Sequence, residues 1–590
     1  MVRRRAFFID AGYTVKKGKA YVSLLLKGKR TVKLYYRYDP YFLVDAPPKH
    51  KDELLAIKAP RKRGGPASPL RVEEVEIRVG LKKKKMLKVY CQEPSDVPLV
   101  KHMVPFPCFE YSIPFARRFI FDMQLSPLHV ITYERQGRLI GKILSVKEPV
   151  EAPKMGVLAF DIETYNPMGA PRELKDPVVM ISYCGKKKGV LTFKKSKKGF
   201  VETLPGEKEM LARFCEIVQE EDPDILVGYN SANFDLPYLA ARAKKLGVPL
   251  ELGRFGGRMR HLTKGLIKGM EIGGRVHFDL YPIARLFGFI GVIKAQKFTL
   301  DAIAEETLGK KKVAIDKKGI WQLWDNGDID GLCTYSLVDA ELAFELSGRF
   351  LPLEMEISSV SKMPLFQTTL STSGQLVENL LMFHAAEREE LIPPRPVGEA
   401  IYERINAPIK GAFVKLPEPG IYDKLAVLDF RGLYPSIIVS YNIDPGTLTK
   451  DRGDCFVSPT GARFSKKEAG LIPAVLDYLV DRRTELKRAL KKLDKASDAY
   501  VRMSARSHAL KILANSFYGY LGYARSRWYS RPCAESVTAW GRKHITETIE
   551  KAEAAGLQVL YADTDSVFII YKNKKDVTGF MDDINANLPS

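Results

Sequence analysis

Near its C-terminal end the chain reads VLYADTDSVFIIY, residues 559–571. Two runs of β-branched and aromatic residues flank a short polar step, the pattern of a β-hairpin. Asp563 and Asp565 are one residue apart, so on a strand they share a face and Thr564 is directed away from it. Two carboxylates on one face repel unless protons, cations or a metal ion compensate them. Taken alone, Asp-Thr-Asp is equally an ordinary turn composition. What else the chain carries decides between the two.

Working back from the hairpin, LAVLDF reads as an apolar strand ending at Asp429, and it runs on into YPSIIVSYN. A Gly/Pro-rich loop follows, then a long basic helix over 473–493 and a second over 504–518. Arg483 and Lys487 are four apart, hence on one face of the first helix, and Lys511 and Asn515 are placed alike on the second. For isolated helical cations, plain solvation is the ordinary explanation.

Further upstream, VLAFDIET, VVMISYCG and DILVGYN read as strands, and EKEMLARFCEIVQEEDP as a helix stopping before a proline. This alternation predicts an α/β domain up to about residue 350. FDIET puts Asp161 and Glu163 on one strand face. NFDLPYL adds Asp235, and YSLVDAELAF adds Tyr335 and Asp339 on one side of a helix. Four acids and a tyrosine suit a hydrolytic site for phosphodiesters in which one Mg²⁺ activates water and another stabilises the leaving oxygen. Any one pair alone is more simply a surface or capping acid; Asp279 in VHFDLYP, also an acid on an apolar strand, shows the difficulty. Residues 1–150 alternate short β-like runs with basic turns, GLKKKKMLK reading as a solvated turn, and VKEPVEAPKMG reads as a linker.

The 590 residues predict several domains, and 93 Lys+Arg against 70 Asp+Glu give a formal charge of +23. That excess suits a polyanionic partner such as nucleic acid, as well as a merely basic surface. No apolar run is long enough to span a membrane, and the start MVRRRAFFIDAGY lacks the apolar core of a signal peptide. Seven scattered cysteines without a CxxC pair argue against a zinc site or disulfide scaffold. The simplest reading is a soluble cytoplasmic protein, nucleoid-associated if its partner is DNA.

Six motifs stand in order across residues 155–572. FDIET, NFDLPYL and YSLVDA resemble the three exonuclease motifs of family B DNA polymerases. DFRGLYPSII, KILANSFYGYLGY and YADTDS resemble that family's polymerase motifs A, B and C, with a spacing similar to archaeal replicative members. A single DxE or DTD is weak; the ordered set is specific. The resemblance implies a multidomain α/β and α+β fold: a β-rich N-terminal domain over 1–153, joined by 351–392; an RNase H-like 3′–5′ exonuclease domain over 154–350; and a palm over 393–472 and 524–590, interrupted by helical fingers over 473–523. It implies DNA-directed DNA synthesis with proofreading on primer-template DNA and deoxynucleoside triphosphates, using two Mg²⁺ at each site. Asp429 and Asp563 would hold the polymerase metals, with Asp565 completing the cluster; Asp161, Glu163, Asp235 and Asp339 would hold those of the exonuclease, beside Tyr335. Arg483, Lys487 and Lys511 would hold the triphosphate, Tyr434 would exclude a ribose 2′-hydroxyl, and Asn515, Tyr518 and Gly519 would line the nascent base pair.

In the N-terminal region DAGYT, YDPYFLV, SDVP and EYSIPFARR resemble the pocket with which archaeal members capture template uracil. The matching residues are Tyr13, Pro40, Tyr41, Val97, Ile113, Pro114, Phe115 and Arg118; a small-domain core would use the same residue types. The sequence departs from the family in four places. It has only 19 residues after Tyr571, so the helical thumb expected of the family is expected on a second polypeptide or lost by truncation; a sliding clamp is a further possible partner. Tyr-x-Gly-Gly is replaced by Ile409, Lys410, Gly411 and Ala412, which opens the balance of synthesis and proofreading. Ser465 and Ser530 stand where relatives pair cysteines with Cys455 and Cys533. Ser566 stands where some members have glycine. Two alternatives remain open: an exonuclease with the polymerase half as scaffold, and a non-catalytic uracil-sensing DNA-binding protein.

Overall fold

A computed structural model describes residues 2–264, 267–310 and 319–587. The chain begins with a long hairpin, Val2–Lys16 paired antiparallel with Lys19–Lys27. Its turn is Lys17-Gly18, both at positive φ (48° and 68°), the conformation whose twist matches the flanking strands. Thr31–Arg37, Leu139–Lys147 and Val130–Gln136 close these two strands into a barrel. Closure depends on a parallel pairing of Tyr35 with Leu139. Alternate residues Phe8, Leu24, Leu26 and Ile131 are fully buried inside. Between Thr31–Arg37 and Val130–Gln136 in sequence, the chain builds a second sheet from Pro69–Val79, Lys82–Cys91, Tyr41–Val44 and Cys108–Phe109. Here the lysine run departs from the sequence reading: the turn is Gly80-Leu81, with Gly80 at φ 60°, and Lys82 to Lys85 lie along an exposed strand.

A six-stranded sheet follows, ordered Val201–Thr203, Lys188–Thr192, Val178–Cys184, Val157–Thr164, Ile225–Gly228, Val276–Asp279. The near-continuous apolar runs at its centre are buried on both faces, as in sheets covered by helices. Helices Glu207–Glu221 and Asp235–Leu246 cover one side, and the 33-residue helix Ile329–Ser361 crosses against the central strands. Beyond it, Ser373–Glu387 packs on the N-terminal helix Phe115–Asp122, with Phe121 and Phe383 edge to face at 6.3 Å.

The last part is a four-stranded antiparallel sheet, ordered Val414–Lys415, Gln558–Asp563, Ser566–Ile570, Leu425–Asp429. Ile545, Ile549, Val567, Ile569 and Phe580 join it to the helices Arg531–Ala554 and Lys574–Ala586. Between its strands two helices project side by side, Leu471–Leu490 and Asp498–Gly522. Both start earlier than the sequence pattern suggested. Pro473 sits in the first turn, where a missing N–H costs nothing. Ser497 caps the second helix by accepting the N–H of Tyr500 at 3.2 Å. The described cysteines are free. Cys455 pairs across its ladder with Ser465, and Ser530 caps the helix holding Cys533. No described helix is long and apolar enough to cross a membrane.

Candidate active site

Two acidic centres form, on separate sheets. On the six-stranded sheet, Asp161 and Glu163 share the face of Val157–Thr164 that meets the long helix, where Tyr335 and Asp339 sit one turn apart. Among the described residues, Asp161, Glu163 and Asp339 are the acids whose ligand oxygens lie within 4.8 Å of one another. Glu163, Asp339 and Tyr335 are each 8% exposed. Three carboxylates this close in a poorly solvated place suit a hard divalent cation with oxygen ligands.

Asp235 begins its helix beside this trio without joining the 4.8 Å group. Burial first, then Asp279 and Asp339, push its carboxyl up to about 7, against hydrogen bonds from backbone that include Ile162. Asp279 resolves as a structural acid. Its carboxylate accepts the N–H groups of Asn230 (2.7 Å), Ala232 (2.9 Å) and Tyr281 (3.1 Å). It therefore caps the helix Leu280–Phe289 and ties down the loop that delivers Asp235.

The second centre lies at one end of the antiparallel sheet. Register puts both Asp429 and Asp563 opposite Ser566. The Ser566 hydroxyl donates to Asp429 Oδ2 at 2.9 Å. Tyr561 donates to Asp563 Oδ2 at 3.2 Å, and Thr564 to Asp563 Oδ1 at 2.9 Å. Thr564 thus folds back onto Asp563 rather than pointing away from the acids, because it occupies the left-handed turn position at φ 53°. Asp565 is held by its backbone: its carbonyl accepts the N–H of Phe430 at 2.8 Å. Its carboxyl is raised by burial, then by the negative charges of Asp429 and Asp563. All three acids therefore lie within electrostatic reach of one another.

Facing them is a cleft walled by the two projecting helices. Arg483 and Lys487 come from the first, and Lys511, Asn515, Tyr518 and Gly519 from the second. Tyr434, on the helix Leu433–Ser440 that follows Asp429, packs on Tyr518 with ring centroids 4.5 Å apart. Burial, with Tyr518 next, pushes the Tyr434 hydroxyl up to about 12. Residues 409–412 lie against the far wall. Thr538 donates to the carbonyl of Lys410 at 2.9 Å, and Arg542 to those of Lys410 (3.2 Å) and Gly411 (2.5 Å). Sequence reading passed over Tyr561, Arg542 and Arg431, and gave Ser566 no functional weight. The contacts of Ser566, Arg542 and Arg431 arise from cross-strand register and from elements distant in sequence, which no local motif displays, whereas Tyr561 reaches Asp563 from two residues away on its own strand.

In the N-terminal region Tyr13 meets Phe115 edge to face at 5.5 Å, and Arg118 lies over the Tyr41 ring at 4.9 Å. Arg118 is 5% exposed and pairs with Glu110, with Asp122 3.6 Å away. Asp122 in turn accepts from Tyr38 (2.5 Å) and Tyr41 (2.8 Å). Pro114 leads into the helix that carries Phe115 and Arg118. Ile113 belongs to the same apolar cluster as Phe115, whereas Val97 is buried in a different one, with Phe42 and Val89. Pro40 is a buried neighbour of Tyr41 whose carbonyl accepts the N–H of Cys91.

Comparison with known proteins gives the family. Residues 365–586 match the family model described as DNA polymerase family B, and residues 106–303 match the exonuclease domain of DNA polymerase family B. A DNA polymerase of Pyrococcus glycovorans is 36% identical over 601 residues, covering 98% of this chain and 74% of the relative. One from Archaeoglobus fulgidus is 33% identical, covering all of this chain and 73% of its own length. Among solved structures, the family B DNA polymerase of the hyperthermophilic archaeon Pyrobaculum calidifontis superposes with a TM-score of 0.84 at 32% identity, covering 99% of this chain and 76% of that one.

Proposed function

The chain belongs to the family B DNA polymerases, enzymes of DNA synthesis that here carry a 3′–5′ exonuclease domain, and from that premise we propose which residues perform each reaction. Synthesis is assigned to Asp429, Asp563 and Asp565, and digestion to Asp161, Glu163, Asp235, Tyr335 and Asp339. The observation that carries the first assignment is the register that sets Asp429 and Asp563 against one Ser566, with Arg431, Arg483 and Lys511 gathered around Lys487. The close carboxylate trio supports the second.

The acids at each centre suit two Mg²⁺ ions, which when bound supply an activated hydroxyl or water and neutralise charge on the leaving oxygen. The protein's own groups do the rest. Ser566 fixes which oxygens of Asp429 remain available. Arg483, Lys487 and Lys511 orient a triphosphate and offset its charge. The packed Tyr434–Tyr518 pair closes the space beside the sugar, and Asn515 and Gly519 border the new base pair. Tyr335, one helical turn from Asp339, positions the scissile phosphate for digestion.

A template-uracil pocket at Tyr13, Pro40, Tyr41, Ile113, Pro114, Phe115 and Arg118 is part of the proposal, supported by the buried network that fixes Tyr41 and Arg118. Val97, buried with Phe42 and Val89, completes the proposed set. Extension should stall ahead of template uracil but not thymine, and Tyr41→Ala should remove the stall. A second polypeptide or a sliding clamp acting as partner would be read from product length: products that lengthen when it is added.

The assignment is tested on a labelled primer-template with Mg²⁺. Asp563→Ala should lower nucleotide addition by at least ~100-fold while leaving digestion of the 3′ end intact. Asp161→Ala should do the reverse. Extension that survives Asp563→Ala would overturn the assignment of synthesis to this centre.

A further inference from the structure

The cations of the cleft include one that the fingers do not supply. Arg483 is held below its ordinary pKa by burial and by Arg431. Lys487 is lowered first by Arg483, then by burial, Arg431 and Lys511. Among the described residues, the buried Nε of Arg483 has no hydrogen-bond partner. The next residue on the same helix behaves differently: Arg482 is neutralised by Glu485 at 2.9 Å. Such an uncompensated cluster is costly in the empty enzyme and relieved by a polyanion.

Arg431 reaches this cluster from the opposite wall. It lies two residues after Asp429, in the turn completed by Gly432 at φ 65°, and is exposed to solvent. Its Nη2 donates to the Thr484 hydroxyl at 3.0 Å, bridging palm and fingers. Thr484 gives its own proton to the carbonyl of Val480 at 3.0 Å, so its oxygen acts toward Arg431 purely as an acceptor. A neutral hydroxyl is a weak holder for a guanidinium. Phosphate oxygens form charge-assisted, forked bonds with the same group and outcompete it.

We propose that Arg431 is a palm-side ligand of the incoming nucleotide's polyphosphate and that Thr484 is its resting place in the empty cleft. The inference rests on the polymerase reading of that cleft. On binding, Arg431 exchanges Thr484 for phosphate, so Thr484 competes with substrate and sets nucleotide affinity from the fingers. The covalent chemistry is unchanged.

Steady-state primer extension on wild type, Arg431→Ala, Arg431→Lys, Thr484→Val and the Arg431→Ala/Thr484→Val double variant tests this. Arg431→Ala should raise the nucleotide KM about tenfold, with kcat affected much less. Arg431→Lys should recover only part of the loss, since lysine lacks the planar fork. Thr484→Val should lower KM when Arg431 is present and leave it unaltered in the double variant relative to Arg431→Ala. Digestion of the 3′ end by the same preparations should match wild type, which shows that they are folded. An unchanged KM in Arg431→Ala, or an equal effect of Thr484→Val in both backgrounds, overturns the proposal. A wild-type chain that digests but never extends overturns the polymerase reading, and this inference with it.

Discussion

One hydroxyl decides how Asp429 is presented. Ser566 donates to a single oxygen of that carboxylate, so Ser566→Ala should leave it free to rotate. Hydrogen bonds to charged groups contribute about 1.5–3 kcal/mol, and extension efficiency should fall by about tenfold with digestion unaltered; equal kcat/KM for the variant would remove Ser566 from the site. The acids themselves were legible in the sequence, because each reaction needs carboxylates at short fixed spacings on a strand or helix face. Ser566 was visible in YADTDS but carried no weight there. Its partner is 137 residues away, and only the strand register brings the two together. Asp279 erred the other way. It has the look of a site acid, yet its oxygens are committed to three backbone N–H groups.

At the scale of elements, the helix Arg531–Ala554 supports the cleft from behind. A Cβ added at Gly541 would come within 3.1 Å of the Tyr434 ring, which already packs on Tyr518. Gly541→Ala should therefore move Tyr434 by a few tenths of an ångström into the sugar space. The expected result is a nucleotide KM raised ~3–10-fold; unaltered kinetics would mean that the ring yields elsewhere. Arg542→Ala, which releases the carbonyls of Lys410 and Gly411, should change the ratio of extension to digestion, and an unchanged ratio would leave that segment a passive linker. Elements with strong local patterns were readable from sequence: Val157–Thr164, Glu207–Glu221 and both projecting helices. Their ends were less so, because Ser497 and Pro473 act through single caps and first-turn tolerance. The lysine run misleads for a related reason. Charge marks exposure, and an exposed strand and an exposed turn carry it equally well.

Across the whole molecule, closure of the N-terminal barrel depends on Tyr35 meeting Leu139, a parallel contact invisible to local pattern. Arg506 of the helix Asp498–Gly522 pairs with Glu148, and Glu356 of the long helix is 3.8 Å away, so three parts of the chain distant in sequence meet at one ionic junction. Two residues before Glu356, Glu354 is fully buried, and burial pushes its carboxyl from 4.5 up to about 7. Between those values the folded state keeps a proton that the unfolded chain has released. Stability therefore falls as pH rises from about 4.5 to about 7 and stays lower above. The contribution is at most on the order of 3 kcal/mol. Thermal melts of Glu354→Gln should gain on wild type more at pH 8 than at pH 5, by ~2–4 °C, and a pH-independent difference would contradict the titration. The central claim is that one chain both adds and removes nucleotides at separate centres. Its most direct test is a labelled primer-template given Mg²⁺ and one deoxynucleotide at a time. We expect lengthening by one residue with the complementary nucleotide and shortening with none. Shortening in every reaction, or addition that ignores the template base, would contradict the account.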